Sequence, residues 1–87
     1  MTRDEIRMAV LHALSRIAPE VAPDAIDPKA DLREQVDIDS MDFLNLMIEV
    51  HRTLGIDVPE SDYARLRTLD ACVDYLAARA GGPSAVA

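Results

Sequence analysis

Asp39-Ser40-Met41-Asp42-Phe43-Leu44-Asn45-Leu46-Met47-Ile48-Glu49-Val50-His51-Arg52-Thr53-Leu54-Gly55 is the stretch on which the fold turns. Asp39 is a good N-cap, residues 40–54 contain neither Gly nor Pro, and Gly55 supplies the expected stop, so the spacing predicts a helix over 40–54. Stepping about 100° per residue places Phe43, Leu46, Met47, Val50 and Leu54 on one face, an ordinary core stripe. Met41, Leu44 and Ile48 fall on a different side, with Asn45 and Arg52 beside them. A bundle helix needs one apolar face, so this second stripe is either extra burial against a loop or an exposed surface for a partner.

Upstream, Thr2 and Glu5 have the spacing of a capping box, and Ile6, Val10, Leu14 and Ile17 recur at helical intervals, predicting an amphipathic helix over 3–18. Pro19, Pro23 and Pro28 then forbid a long helix in the polar segment 19–39. Ile26, Leu32, Val36 and Ile38 anchor this segment, which is expected to be ordered with a single helical turn around 31–34. Downstream, Gly55-Ile56-Asp57-Val58-Pro59 is a short connection, and 60–65 suffices for one or two turns of a third helix. Thr68 caps a last helix whose stripe is Leu69, Cys72, Val73, Leu76 and Ala80. No alternating strand pattern or internal repeat competes. The expected fold is all-α: an antiparallel four-helix bundle, three longer helices and one short one, with a long first loop. One domain over 1–80 and a flexible tail over 81–87 complete the expectation, together with a free-standing monomer.

Composition agrees with a single small domain: 87 residues, 49% of them apolar, with 16 acidic and 9 basic side chains for a net charge of -7. Seven of the acids lie in residues 19–39 against two bases, so the negative charge is concentrated just before Ser40. Binding to nucleic acid is disfavoured, because phosphate neutralisation needs clustered Lys and Arg; basic protein surfaces are the natural partners. There is no long apolar run for membrane insertion, and the charged start MTRDEIRMAV is unlike a secretory signal, so a cytoplasmic location is expected. The single cysteine, Cys72, forms no internal disulfide and sits on the core stripe as a small hydrophobe.

Ser40 lies in the first helical turn, where backbone N–H groups lack intrahelical acceptors and the dipole is positive, so an anionic group attached to its hydroxyl is well placed. Asp39 and Asp42 flank it. They either help hold a divalent cation shared with the diphosphate of a modifying enzyme's substrate, or are two capping acids around an ordinary serine. A serine hydrolase is excluded: the G-x-S-x-G elbow is missing, and His51 stands about 16 Å along the same helix. Residues 27–32 lack the Gly and ligand alternation of a calcium loop, and one Cys with the separated His12 and His51 makes no zinc site. No catalytic residue and no metal site are expected.

The run from 31 to 76 resembles an acyl carrier protein. The resemblance is carried by Asp39-Ser40-Met41-Asp42-Phe43-Leu44, Leu54-Gly55-Ile56-Asp57-Val58-Pro59 and Thr68-Leu69. It implies a carrier and not a catalyst. Ser40 would bear a phosphopantetheine arm, transferred from coenzyme A by a phosphopantetheinyl transferase, with Asp39 and Asp42 beside the attachment point. The arm's thiol would hold an acyl group as a thioester for acyl-loading, acyl-transferring or condensing enzymes of a fatty-acid, polyketide or related pathway. Met41, Leu44, Asn45, Ile48, Glu49 and Arg52 would face those partners, and Phe43, Met47, Val50, Ile56, Leu69 and Leu76 would line an acyl cleft. Two departures stand out. The run Val36-Asp37-Ile38-Asp39 lacks the Gly that many members place before the serine, so the turn is made without glycine's freedom. Asn45, His51 and Arg52 stand where fatty-acid carriers often show Glu, which implies a specialised carrier in a dedicated pathway. The alternative from another class is an unmodified helical adaptor binding through Met41, Leu44 and Ile48; the two readings separate at Ser40.

Overall fold

The computed structural model describes residues 2–86, with side chains as far as residue 80. Helix α1 (Arg3–Ile17) opens on the expected capping box: the Thr2 hydroxyl accepts from the Glu5 amide at 3.1 Å and the Glu5 carboxylate accepts from the Thr2 amide at 2.8 Å. These two bonds satisfy donors that have no partner inside the helix. The segment after α1 contains one 3-10 turn, Pro23–Ala25, and one short helix, α2 (Leu32–Val36). The helical turn expected around 31–34 is therefore real but begins one residue later, because Asp31 is its N-cap, accepting from Arg33 and Glu34.

Helix α3 (Ser40–Leu54) has the bounds its sequence predicts. Gly55 ends it at φ 70°, with its amide donating to the His51 carbonyl at 2.8 Å. A Cβ there would meet nothing within 4 Å, so the demand for glycine is one of backbone conformation alone. The third helix of the sequence reading spans Glu60–Arg65 but is a 3-10 helix. Pro59 starts it, and Asp62 and Leu66 donate three residues back, to Pro59 and Tyr63, at 2.9 and 3.0 Å. Helix α4 (Leu69–Val86) is capped by Thr68, whose hydroxyl accepts from the Ala71 amide at 3.0 Å. The tail expected over 81–87 falls where side chains, and at Ala87 the backbone too, lie outside the described residues.

Helix α1 packs against both α3 and α4. The core it shares with them includes Ile6, Val10 and Leu14 of α1, Phe43, Leu46, Met47 and Val50 of α3, and Leu69, Cys72, Val73 and Leu76 of α4. Ile26, Leu32, Val36 and Ile38 are all buried, so the long first loop is held by its apolar anchors. Two polar ties fix it further. The Leu32 amide donates to the Arg67 carbonyl at 2.7 Å and the Asp70 amide to the Pro28 carbonyl at 3.0 Å. The Arg67 guanidinium also donates to Asp31 at 2.8 Å. The Tyr75 hydroxyl donates to Asp62 at 2.5 Å, and Arg65 and Arg79 lie over the Tyr75 ring, fastening the 3-10 helix to α4. No helix among the described residues is long and apolar enough to cross a membrane.

Candidate functional site

Three residues before Ser40 the chain makes its only left-handed turn at a non-glycine residue among those described: Asp37, at φ 56° and ψ 50°. This turn ends α2 and delivers Asp39 in an extended conformation to start α3. Asp39 then forms a reciprocal cap with Asp42. Its Oδ1 accepts from the Asp42 amide at 2.9 Å, while Asp42 Oδ2 accepts from the Asp39 amide at 3.3 Å. One oxygen of each carboxylate is thus committed to the helix start. The amides of Ser40 and Met41 have no acceptor within the helix, and the exposed Ser40 hydroxyl makes no hydrogen bond among the described residues. The hydroxyl is thus presented to solvent at the start of the helix.

Beside Ser40 lies an open groove of about 730 Å³. Ser40, Met41, Phe43 and Leu44 form one wall, Ile38 and α2 another, and Glu60, Tyr63 and Ala64 of the 3-10 helix the third. Across it, Phe43 and Tyr63 of two of these walls make an edge-to-face pair, with centroids 5.7 Å apart and planes at 72°. Asp31, Arg33, Glu34 and Arg67 make its polar rim. Burial pushes against ionisation of Asp31, but hydrogen bonds from Arg67 and from the Arg33 and Glu34 amides win and hold its carboxyl below the usual range.

Of the six residues the resemblance assigned to an acyl cleft, Phe43 lines this groove. Met47 lines a smaller hollow of about 230 Å³ with Ile48, His51 and Tyr63. Val50, Ile56, Leu69 and Leu76 are buried in the core and line neither space. Sequence reasoning missed Tyr63, Ala64, Arg67, Arg33 and Ile38. The nearest thing to a signal is Tyr63, one of only three aromatic residues in the chain.

The second stripe of α3 is mostly solvent-facing: Met41 is 62% and Ile48 47% exposed, Asn45 is exposed and Leu44 is half-buried. The reading as extra burial therefore fails for Met41 and Ile48. Glu49 is drawn inward, paired with Arg52 at 2.9 Å and with Arg16 of α1 at 3.7 Å. His12 and His51 are exposed, and His51 faces Asp57 at 3.9 Å. Cys72 is buried, its thiol pushed up to about 12 by desolvation. No group of three or more His, Cys, Asp or Glu among the described residues is placed to hold a metal.

Residues 9–76 match the family profile described as "Phosphopantetheine attachment site". The chain is similar to an acyl carrier protein of Campylobacter hominis, 30% identical over 73 residues that cover 84% of this chain and 86% of that one. It is also similar to an acyl carrier protein of Rubrobacter xylanophilus, 29% identical over 51 residues, 59% of this chain and 63% of the other. The chain spans 60% to 63% of the length of some curated relatives it matches. Among solved structures, an acyl carrier protein from Enterococcus faecalis matches with a TM-score of 0.76 at 22% identity, over 91% of this chain and 99% of that one. That likeness is one of fold.

Proposed function

The chain belongs to the acyl carrier protein family, whose members are carriers and not catalysts and whose cofactor is phosphopantetheine, and from that premise we propose that Ser40 bears the arm and that this protein carries acyl groups on it. The observation that carries the assignment is the exposed hydroxyl at the first position of α3, without a hydrogen bond among the described residues, on the groove that Phe43 and Tyr63 also line. Those residues fit the group. The hydroxyl can reach an enzyme's active site, the free amides of Ser40 and Met41 and the helix dipole favour an attached phosphodiester, and the groove offers apolar surface beside it. In the attachment, a separate transferase would remove the Ser40 proton, and the Ser40 oxygen would bond to the phosphorus of coenzyme A's phosphopantetheine as the diphosphate bond broke to release the adenosine bisphosphate. When bound, the arm supplies a thiol that holds the acyl group as a thioester. The protein supplies tethering, which raises the local concentration of the intermediate at each partner enzyme, and a docking face on α3.

The partner-facing side is read as Met41, Leu44, Asn45, Ile48 and Arg52, with Glu49 covered by its two arginines. Its poverty in free carboxylates supports a dedicated polyketide, lipid or aminoacyl pathway in preference to general fatty-acid elongation. Loading tests the carrier reading: the modified wild type should accept an acyl group from an acyl-transferring enzyme as a hydroxylamine-labile adduct, and Ser40→Ala should accept none. An adduct of equal amount on Ser40→Ala would overturn the assignment. Efficient support of fatty-acid elongation in a reconstituted system would count against the dedicated pathway.

A further inference from the structure

Beyond its first turn, α3 has one acid, Glu49, and that acid is covered. Arg52 lies 2.9 Å from one carboxylate oxygen and Arg16, reaching across from α1, 3.7 Å from the other. The Glu49 side chain is 19% exposed, whereas Arg16 and Arg52 are 60% and 68% exposed. What this cluster presents outward is therefore guanidinium, with one positive charge in excess. His51 and its partner Asp57 are not part of it, since His51 projects about 160° around the helix from Glu49. At the other end of the helix, Asp37, Asp39 and Asp42 have no ion-pair partner among the described residues. Between the two poles Met41 and Ile48 stand exposed, in line with Asn45 and Arg52 along one face. Ser40 and Arg52 are about 18 Å apart along the axis. Along its axis, from the Ser40 end onward, the helix thus reads acid, apolar, base.

We propose that this face docks on a partner enzyme whose surface is basic at the entrance that receives Ser40 and acidic about 18 Å away, where it meets Arg16 and Arg52, with an apolar seat for Met41 and Ile48 between. The proposal rests on Ser40 carrying the arm. The apolar centre supplies most of the binding, while the two poles set register and direction. Docked the wrong way round, each pole meets its own sign, so the Ser40 end is the one that points at the entrance. A uniformly basic surface is rejected by the same device, because two guanidinium groups face it.

The test offers three phosphopantetheine-loaded carriers, wild type, Arg16→Gln/Arg52→Gln and Arg16→Glu/Arg52→Glu, to a malonyl-transferring enzyme chosen for an entrance lined throughout by Lys and Arg. The same enzyme with two far-rim Lys changed to Glu is the second probe. With the basic enzyme, kcat/KM should rise about threefold for the Gln pair and about tenfold for the Glu pair, and the gain should shrink as salt is added. With the recharged enzyme the order should invert, wild type leading. The Gln pair keeps the test valid where the Glu pair, setting three carboxylates together, fails to fold. Rates within about twofold of wild type for folded, loaded variants on both enzymes would overturn the proposal and leave the carrier reading standing. A wild type that takes no phosphopantetheine would overturn both.

Discussion

Asp37 bears the conformational cost of starting α3 where it does. At φ 56° its Cβ crowds the following carbonyl, a strain that Asp tolerates better than most residues and Gly does not feel. The side chain is exposed, so substitution there reads backbone strain with little packing mixed in. Asp37→Gly is expected to keep or raise the urea midpoint, and Asp37→Val to lower stability by about 1–2 kcal/mol, because a β-branched side chain fits this region worst. Cys72 is the opposite case, a fully buried residue whose thiol donates to the Leu66 carbonyl at 3.4 Å. Its thiol ionises near 12 when folded, so the neutral form is favoured by the native state and the associated stability is lost as pH rises above about 8.5, the range in which an unfolded thiol ionises. Treated with iodoacetamide at pH 8, the folded unmodified protein should therefore label very slowly, and the phosphopantetheine-loaded protein should label at the arm alone. Guanidinium chloride should add the second site. Rapid labelling of folded, unmodified protein would contradict the buried placement.

Among the elements, α3 was legible in the sequence and the groove beside it was not, for a physical reason. Asp39 and Gly55 act on backbone groups a few residues away, so the chemistry that bounds the helix is local and its signature is written next to it. The groove's third wall comes from Glu60–Arg65, six residues with too few turns for a periodicity to show, positioned by Asp62 reaching Tyr75 and Arg79 on α4. Such ties cross a dozen or more residues and leave no spacing to read. The choice of 3-10 over α in this segment was hidden likewise. The first loop was half legible: its four apolar anchors foretold order, but Asp31, which caps α2 and holds Arg67 at once, appeared only as the edge of an expected turn. Asp31→Asn should loosen both ties, seen as roughly tenfold faster hydrogen exchange of the Leu32 and Asp70 amides. The pH dependence follows from the sign of the shift. A carboxyl held low in the folded state contributes stability above its ordinary pKa, near 4, and loses it as pH falls through the folded value, so acid should free these amides in wild type more than in Asp31→Asn.

For the molecule as a whole, an apolar interior and a charged exterior are cleanly separated: no polar or charged residue is buried among those described, and no buried side-chain polar atom lacks a partner. Stability therefore rests on packing, and a residue at its centre, Leu46, is fully enclosed. Leu46→Ala should cost about 2–5 kcal/mol, a large share of what a chain this size has, whereas Ile48→Ala two residues on should stay within about 0.5 kcal/mol in denaturant titration. Ser40 stands outside that packed interior, exposed at one end of a helix face. That division makes Ser40 separable from the fold. Whether Ser40 takes the arm is read from intact mass after incubation with coenzyme A, magnesium and a broad-specificity phosphopantetheinyl transferase, on wild type and on Ser40→Ala of unchanged circular dichroism. One phosphopantetheine should be added to the wild type and none to the variant; addition to both, or to neither while both are folded, would show that Ser40 is not the attachment point.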